Sequence, residues 1–215
     1  MDPNIIQKIA VYAIPLIFAI TLHEAAHAYA ARYFGDNTAY MLGRMTLNPI
    51  KHIDPIWTIA VPLLTLFFGG FIFGAAKPVP VNFGALRNPK RDSIWVAAAG
   101  PLANLAMMLI WALVATIAQS MPDSAPMLFL SYVGQAGILV NALLMIFNLF
   151  PLLPLDGGRI IAGLLPNNLA YQYSKIEPYG MFILIALIVS GVFGKFLGPL
   201  VDISMKTVYS AFGIA

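Results

Sequence analysis

Apolar residues fill most of this chain in long runs, and polar connections marked by Pro, Gly and charged residues separate them. The runs cover residues 5–31, 55–75, 93–119, 127–150 and 179–193, and a weaker run covers 196–212. A helix needs about 20 residues to cross the hydrocarbon core of a membrane, and the first four runs approach or exceed that length. The pattern predicts an all-α polytopic membrane protein with about five to six membrane segments.

The positions of Lys and Arg indicate which connections face the cytoplasm. The connection 32–54 contains three such residues, 76–92 contains four, and 120–126 contains none. By the positive-inside rule, the first two connections are cytoplasmic and the third is external. Both basic connections can lie on one side only if 55–75 does not cross, so we expect a re-entrant or surface-parallel element there.

Composition narrows the class of protein and the choice of partner. Of 215 residues, 60% are hydrophobic and 10% are charged, against about 25% charged residues in soluble domains. We therefore expect one membrane-embedded domain over residues 1–215, with the lipid bilayer as its surroundings. No basic stripe with interleaved aromatic residues is present, so no nucleic-acid partner is expected. The absence of Cys excludes thiolate ligands, and a bound metal ion would need nitrogen and oxygen donors.

The strongest chemical signal is His-Glu-Ala-Ala-His at residues 23–27, inside the first apolar run. This spacing places His23 and His27 one helical turn apart on the same face, where both imidazoles can bind one zinc ion. Glu24 then lies beside the metal as a general base. Ionisable groups at membrane depth are costly and usually functional, so the pattern predicts hydrolysis within the bilayer.

A catalytic zinc ion usually has three protein ligands and one open position, so a third ligand is needed. Two candidates remain, Asp156 and the pair His52 and Asp54. Asp156 follows an apolar stretch that Pro residues interrupt, and a lone carboxylate there needs a strong partner. A metal ion meets that need, although a helix cap or an ion pair with Arg159 would also account for Asp156.

Together, these motifs carry a resemblance to a known family. His-Glu-x-x-His in an early membrane helix, followed by Asn-x-x-Pro-x-x-x-Leu-Asp-Gly at 148–157, resembles the site-2 protease family of intramembrane zinc metalloproteases. Gly-Pro-Leu-Ala-Asn at 100–104 and Lys-Pro-Val-Pro-Val at 77–81 also resemble family features, the second in a connection of the kind that forms a membrane-associated β-loop. The resemblance covers about residues 15–160, the metal-site core, and leaves the membrane segments at 179–212. It implies a minimal core form without a PDZ or CBS domain.

The resemblance also implies roles for individual residues. His23, His27 and Asp156 would bind one Zn²⁺ per chain, and Glu24 would act as general base on a zinc-bound water. Asn148 would hold the substrate or the oxyanion. The implied substrates are membrane proteins with a single transmembrane segment. The implied location is a prokaryotic cell membrane, with the active site nearer the cytoplasmic side.

A substrate strand is expected to pair with residues in the connection after 55–75. A membrane helix hides its carbonyl groups in hydrogen bonds, so the substrate must unwind and can add to an exposed strand edge. Val79, Val81 and Asn82 form the predicted edge, because Pro78 and Pro80 limit pairing to one side.

Four other polar or small residues have two interpretations each. We expect His52 to be structural, bonded to Asp54 or to backbone, with substrate binding, gating or metal contact as the alternative. Asn148 could instead form an interhelical hydrogen bond. We interpret Asn104 and Gly100 as packing residues rather than as chemistry, because small residues let helices approach.

Two other classes of function compete with intramembrane proteolysis. A membrane zincin of the prenyl-protein type would want a Glu as third ligand, and Glu177 fits poorly because Pro178 follows it. A non-catalytic metal-binding membrane protein or substrate binder is the other alternative. An inactive relative would usually lack Glu24 or a metal ligand, and this chain retains them all.

Overall fold

The computed structural model describes residues 5–56, 76–121 and 124–214. In these ranges the chain is helical, and no strand is present among the described residues. Short 3-10 turns occupy Pro49–His52 and Phe83–Ala85. The helices are α1 (Ile5–Tyr33), α2 (Thr38–Met41), α3 (Pro89–Gln119), α4 (Ala125–Asn148), α5 (Asp156–Leu164), α6 (Asn167–Ser174), α7 (Glu177–Val189) and α8 (Val192–Phe212).

Helices α1, α3 and α4 are long and apolar enough to cross a membrane. Helices α7 and α8 meet at a bend of 80°, and as a pair they have the length and composition of a broken span or a re-entrant loop. Because α7 has 13 residues, it extends only about 20 Å and is too short to cross alone. The prediction of an all-α, multi-pass integral membrane protein is confirmed. The described residues contain three or four candidate spans, and the total of five to six segments stays a prediction because 57–75 lies outside the described residues.

Two sequence predictions concern the connection between α1 and α3. Most of the expected re-entrant element at 55–75 lies outside the described residues. The expected edge strand at Val79–Asn82 does not form with any other described segment. Alternating Pro residues remove the N–H groups at 78 and 80, so that edge cannot take part in a two-sided ladder.

The large apolar side chains of the candidate spans face outward, as lipid contact requires. In a membrane, the outer surface of a helix bundle is as apolar as its interior, since lipid tails replace water as the solvent. Exposed examples on the three long helices are Tyr12, Leu16, Phe18, Leu102, Leu109, Leu113, Leu128, Tyr132 and Leu143.

Helices α1 and α3 run antiparallel. The Asn104 side chain of α3 donates to the Ala19 carbonyl of α1 at 3.3 Å. Nearer the start of α3, the Arg87 N–H donates to the carbonyl of Phe34 at 2.9 Å, just after α1 ends. The contacts occur in opposite order along the two helices. The end of α1 and the start of α3 therefore lie at the same end of the bundle.

The apolar core lies where α3 and α4 pack on the C-terminal helices. Helix α8 buries a stripe of apolar residues at near-helical spacing, the pattern of a helix with one face against a core. The buried members of this core are Met108, Ala112, Ala115, Ile138, Ala142, Ile146, Leu152, Leu184, Phe193, Leu197, Val201, Val208 and Ile214.

Helix α4 ends at Asn148, and a turn-rich stretch leads to α5, which begins at Asp156. Pro151 and Pro154 prevent a continuous helix here. Helix α5 then packs on α3, which brings its first residue to the α1–α3 interface.

Candidate metal centre and active site

Three ligand atoms from two helices converge at one point. The Nε2 atoms of His23 and His27 each lie 3.3 Å from Asp156 Oδ2 and 3.1 Å from each other. Among the described residues, these three form the group of side chains that could share a metal ion. Both histidines are buried. The pair His52 and Asp54, the other candidate for the third ligand, is not part of this group.

Hydrogen bonds on the far side of each ring determine which nitrogen faces the centre. His27 Nδ1 lies 2.7 Å from the Val96 carbonyl, and His23 Nδ1 lies 2.7 Å from Asn104 Oδ1. Both partners are oxygen acceptors, so each Nδ1 carries a proton and donates it. In the neutral rings, the Nε2 atoms therefore present lone pairs to Asp156, and an ionised carboxylate likewise only accepts.

The geometry fits a zinc ion. Lone pairs this close repel one another unless a cation lies between them, and Asp156 Oδ2 is buried without a hydrogen-bond donor among the described residues. Zinc binds His nitrogen and carboxylate oxygen at about 2.0–2.2 Å, so neighbouring ligands of a tetrahedral site are about 3.3 Å apart. The observed separations match that spacing and leave the fourth position for water or substrate.

Helix α3 shapes the centre through three residues spaced four apart. Val96 and Asn104 supply the oxygens that the two histidines need, and Gly100 lies between them. A Cβ atom at position 100 would lie 2.7 Å from His23 Nε2 and closer still to His27 Nε2. Only a glycine allows α3 to approach the two imidazoles in this way.

Glu24 lies beside the centre and is held by backbone. Its Oε2 accepts a hydrogen bond from the Val79 N–H at 2.7 Å. A carboxylate oxygen accepts more than one hydrogen bond, and Oε1 is a second acceptor. The glutamate is outside the group of three metal ligands, as expected for a base rather than a ligand.

The segment around Val79 is fixed by contacts on both sides. The Lys77 N–H donates to the His52 carbonyl at 2.9 Å, and Arg44 donates to the Lys77 carbonyl at 3.0 Å. Further along, the Asn82 N–H donates to buried Asp36 at 2.8 Å. These contacts set the position of the amide that meets Glu24.

A cavity of about 590 Å³ opens at the centre. Its lining is mostly apolar, with the ionisable groups gathered at the metal ligands. Seven of the residues singled out in the sequence line it: His23, Glu24, His27, Val79, Val81, Asn148 and Asp156.

Comparison with known proteins agrees with this geometry. Residues 11–130 match peptidase family M50. The chain is 37% identical to YwhC of Bacillus subtilis over 202 residues, which are 93% of this chain and 89% of that protein. It belongs to peptidase family M50, the site-2 protease family.

Two further relatives of this M50 peptidase are more distant. Rip2 of Mycolicibacterium smegmatis is 29% identical over 187 residues, 86% of this chain and 69% of that protein. MJ0392 of Methanocaldococcus jannaschii is 24% identical over 165 residues, 77% of this chain and 37% of that protein. All three relatives are named as zinc metalloproteases, which agrees with the expected enzyme class and Zn²⁺ cofactor. No solved structure matches the chain.

Asn148 and Arg159 have partners that bear on the sequence alternatives. Asn148 Nδ2 donates to the Leu144 carbonyl of its own helix at 2.9 Å, and the amide retains a second N–H and its oxygen. Arg159 pairs with Glu177 at 2.8 Å, not with Asp156. Asp156 is therefore free of the ion pair that would have competed with a metal ion.

Two residues predicted to contact substrate belong to the supporting framework. His52 is 1% exposed, and its Nε2–H donates to the Thr46 carbonyl at 2.9 Å. The Asn82 side chain accepts from the Gly84 N–H at 3.1 Å. Neither is among the described residues that line the cavity, and their role in substrate binding stays a prediction.

Asn104 of this M50 peptidase orients a metal ligand in addition to packing between helices, a role that the sequence analysis did not assign to it. Its oxygen accepts the proton of a metal-ligand ring, and its side chain is fully buried. The available signal was a carboxamide in an apolar membrane helix, which requires a polar partner. Which partner it meets depends on the register of α3 on α1, and no local pattern reveals that register.

Proposed function

We propose that this protein is an intramembrane zinc endopeptidase that hydrolyses peptide bonds in or near transmembrane segments. The observation that carries the proposal is the convergence of His23, His27 and Asp156 beside Glu24 in one cavity. Two of the three ligands and the base lie on α1, a candidate membrane span, so the bonds within reach of the centre are those that enter the bilayer.

The residues of the site match the needs of peptide hydrolysis. His23, His27 and Asp156 would hold the zinc ion. A bound zinc ion supplies the positive charge that makes a water molecule acidic enough to be a nucleophile at neutral pH. Glu24 accepts the proton of the attacking water and then gives it to the leaving amine. The Asn148 amide, which faces the same cavity, donates to the developing oxyanion.

The substrate would bind as an extended strand along Val79 and Val81. Pro78 and Pro80 have no N–H, and the Val79 N–H donates to Glu24, so the Val81 N–H is the backbone donor of this stretch that a substrate strand can meet. Both valines line the cavity. A locally unwound membrane segment pairing there would present its carbonyls to the metal centre, which favours membrane proteins with a single transmembrane segment as substrates.

The active site would lie nearer the cytoplasmic side of a prokaryotic cell membrane. His23 precedes Arg32 by nine residues, about 13 Å along a helix. The ends of α1 and α3 meet at the hydrogen bond between Arg87 and Phe34, and both flanking connections are basic. The positive-inside rule places such connections in the cytoplasm.

The test measures bound zinc and cleavage together. We would purify the wild type, Glu24→Gln and Asp156→Ala in detergent and offer each a panel of single-span membrane proteins. Glu24→Gln should keep about one zinc ion per chain and lose cleavage by about 10²–10⁴-fold, the contribution of a general base. Asp156→Ala should lose both zinc and cleavage.

Two outcomes would count against this function. A wild type that binds zinc but cuts no member of the panel would favour the non-catalytic metal-binding or substrate-binding alternative. A Glu24→Gln variant with undiminished cleavage would remove the glutamate from the mechanism.

A further inference from the structure

We propose that Asn141 of α4 is a positioning residue for the metal centre. It acts through Asn104 and holds His23 in the tautomer whose Nε2 can bind metal. This inference rests on the zinc site of the proposed function, but its test reads metal binding and not cleavage.

The two asparagines form a chain of hydrogen bonds that ends at His23. Asn141 Nδ2 donates to the Gly137 carbonyl at 2.9 Å, and Asn104 Nδ2 donates to Asn141 Oδ1 at 3.0 Å. Asn104 Oδ1 then accepts from His23 Nδ1 at 2.7 Å. Both asparagine side chains are 0% exposed, so water cannot replace any of these partners.

The direction of these hydrogen bonds is set by backbone carbonyl groups, which can only accept a hydrogen bond. A carboxamide can turn either its oxygen or its NH₂ toward a neighbour, but a backbone carbonyl offers only an acceptor. Asn141 must therefore turn its NH₂ to Gly137 and its oxygen to Asn104. Asn104 in turn directs its NH₂ to Asn141 and to the Ala19 carbonyl, 3.3 Å away, which leaves its oxygen for His23.

A reversed Asn104 amide would disable His23 as a ligand. Its NH₂ would face Nδ1, the ring proton would move to Nε2, and the lone pair that binds metal would be lost. His27 needs no such chain, because the Val96 backbone carbonyl that it meets cannot turn. The ring held by a side chain depends on what fixes that side chain, which is the Ala19 carbonyl at 3.3 Å and, at the shorter distance of 3.0 Å, Asn141.

The experiment compares Asn141→Leu in two backgrounds, the wild type and Asn104→Asp. Zinc affinity of the purified full-length chain in detergent is measured by competition with a chromophoric chelator, and thermal unfolding checks that each variant is folded. In the wild-type background, Asn141→Leu should weaken zinc binding about tenfold, the lower end of the range for partners of metal ligands.

The Asn104→Asp background removes the need for Asn141. Both oxygens of a carboxylate accept, so residue 104 then has no direction to set, and the same Asn141→Leu change should alter zinc affinity less than about twofold. A merely structural asparagine would cost the same in both backgrounds. Equal losses in both, or no loss in the wild-type background, would overturn the proposal.

A matched control on α4 is Ser131→Ala. Ser131 is also buried and accepts a hydrogen bond from Gln135 at 3.3 Å, so its loss should leave zinc affinity unchanged. If Asn141→Leu does not fold, Asn141→Ala takes its place in the same two backgrounds. A wild type that binds zinc without cutting would refute the peptidase function alone, whereas a wild type that binds no zinc would refute both.

Discussion

The identity of single atoms determines whether this centre can bind metal. The Nδ1 protons of His23 and His27 are taken by oxygens of α3, and the Nε2 lone pairs point inward as a result. The space around these atoms is equally restricted, because Gly100 lies against both rings. Substitutions of one atom or one methyl group should therefore affect metal binding before they affect the fold.

At the residue scale, Gly100→Ala is predicted to weaken zinc binding. The new methyl group would lie 2.7 Å from His23 Nε2 and closer still to His27 Nε2, so both ligand rings would have to shift. We expect zinc affinity to fall at least about tenfold, as it does when the surroundings of a ligand are disturbed. Zinc affinity is measured by chelator competition.

Gly134→Ala is the control for this change. Its methyl group would meet the backbone of Ala115 at 2.9 Å, which strains the packing of α4 on α3 away from the ligands. It should lower the unfolding temperature and leave zinc affinity intact. Similar losses of zinc affinity in both variants would show that position 100 acts only through packing.

At the scale of elements, three helices and one irregular segment form the metal centre. Helix α1 carries two ligands and the base, α5 begins with the third ligand, and α3 orients the rings. The segment 76–82 lies across the base, since the Val79 N–H binds Glu24. Because α1 and α3 are antiparallel, His23 meets Asn104 and His27 meets Val96, and Gly100 lies against both rings.

The segment 76–82 supports a prediction that separates its backbone from its side chains. Val81→Pro and Val81→Ala both remove the valine packing on Leu86 and Val96, but only the proline removes an N–H donor. If substrates add as a strand, Val81→Pro should cut about two- to tenfold more slowly than Val81→Ala, the cost of about one backbone hydrogen bond. Cleavage of a single-span substrate and bound zinc are measured in parallel. Equal cleavage by the two variants would contradict strand addition.

At the scale of the whole molecule, a bound metal ion would join distant parts of the chain. The ligands belong to α1 and α5, and α5 is linked to the C-terminal helices by the pair Arg159 and Glu177. A ligand that binds only the folded state stabilises it in proportion to the logarithm of its concentration over Kd. Metal binding and global stability should therefore be coupled.

Removing the metal should lower the unfolding temperature of the wild type. At a free zinc concentration of about 100 times Kd, binding adds about 2.7 kcal/mol to the free energy of unfolding. For a chain of this size, that corresponds to a shift of about 5–10 °C. A chelator titration followed by thermal unfolding in detergent measures it. Asp156→Ala should show no response to the chelator, and an equal response would place the bound metal elsewhere.

The two histidine ligands could be predicted from the sequence because local geometry determines their arrangement. Two histidines four residues apart meet on one face of any helix, whereas Asp156 was one of two candidates for the third ligand until the resemblance to the site-2 protease family implied it. The membrane class followed from the length of the apolar runs. The histidine pair and the membrane class depend on residues close together in the chain, where spacing alone determines which groups are neighbours.

Only the tertiary structure determined the contacts that make the centre work. The roles of Val96, Gly100 and Asn104 depend on the register of α3 against α1, and that of Asn141 depends on α4 as well. The bend of 80° between α7 and α8 likewise appears only in the tertiary structure, because hydropathy does not report the angle between two helices. Sequence spacing determines which groups share a helix face, whereas packing between helices decides which face meets which partner.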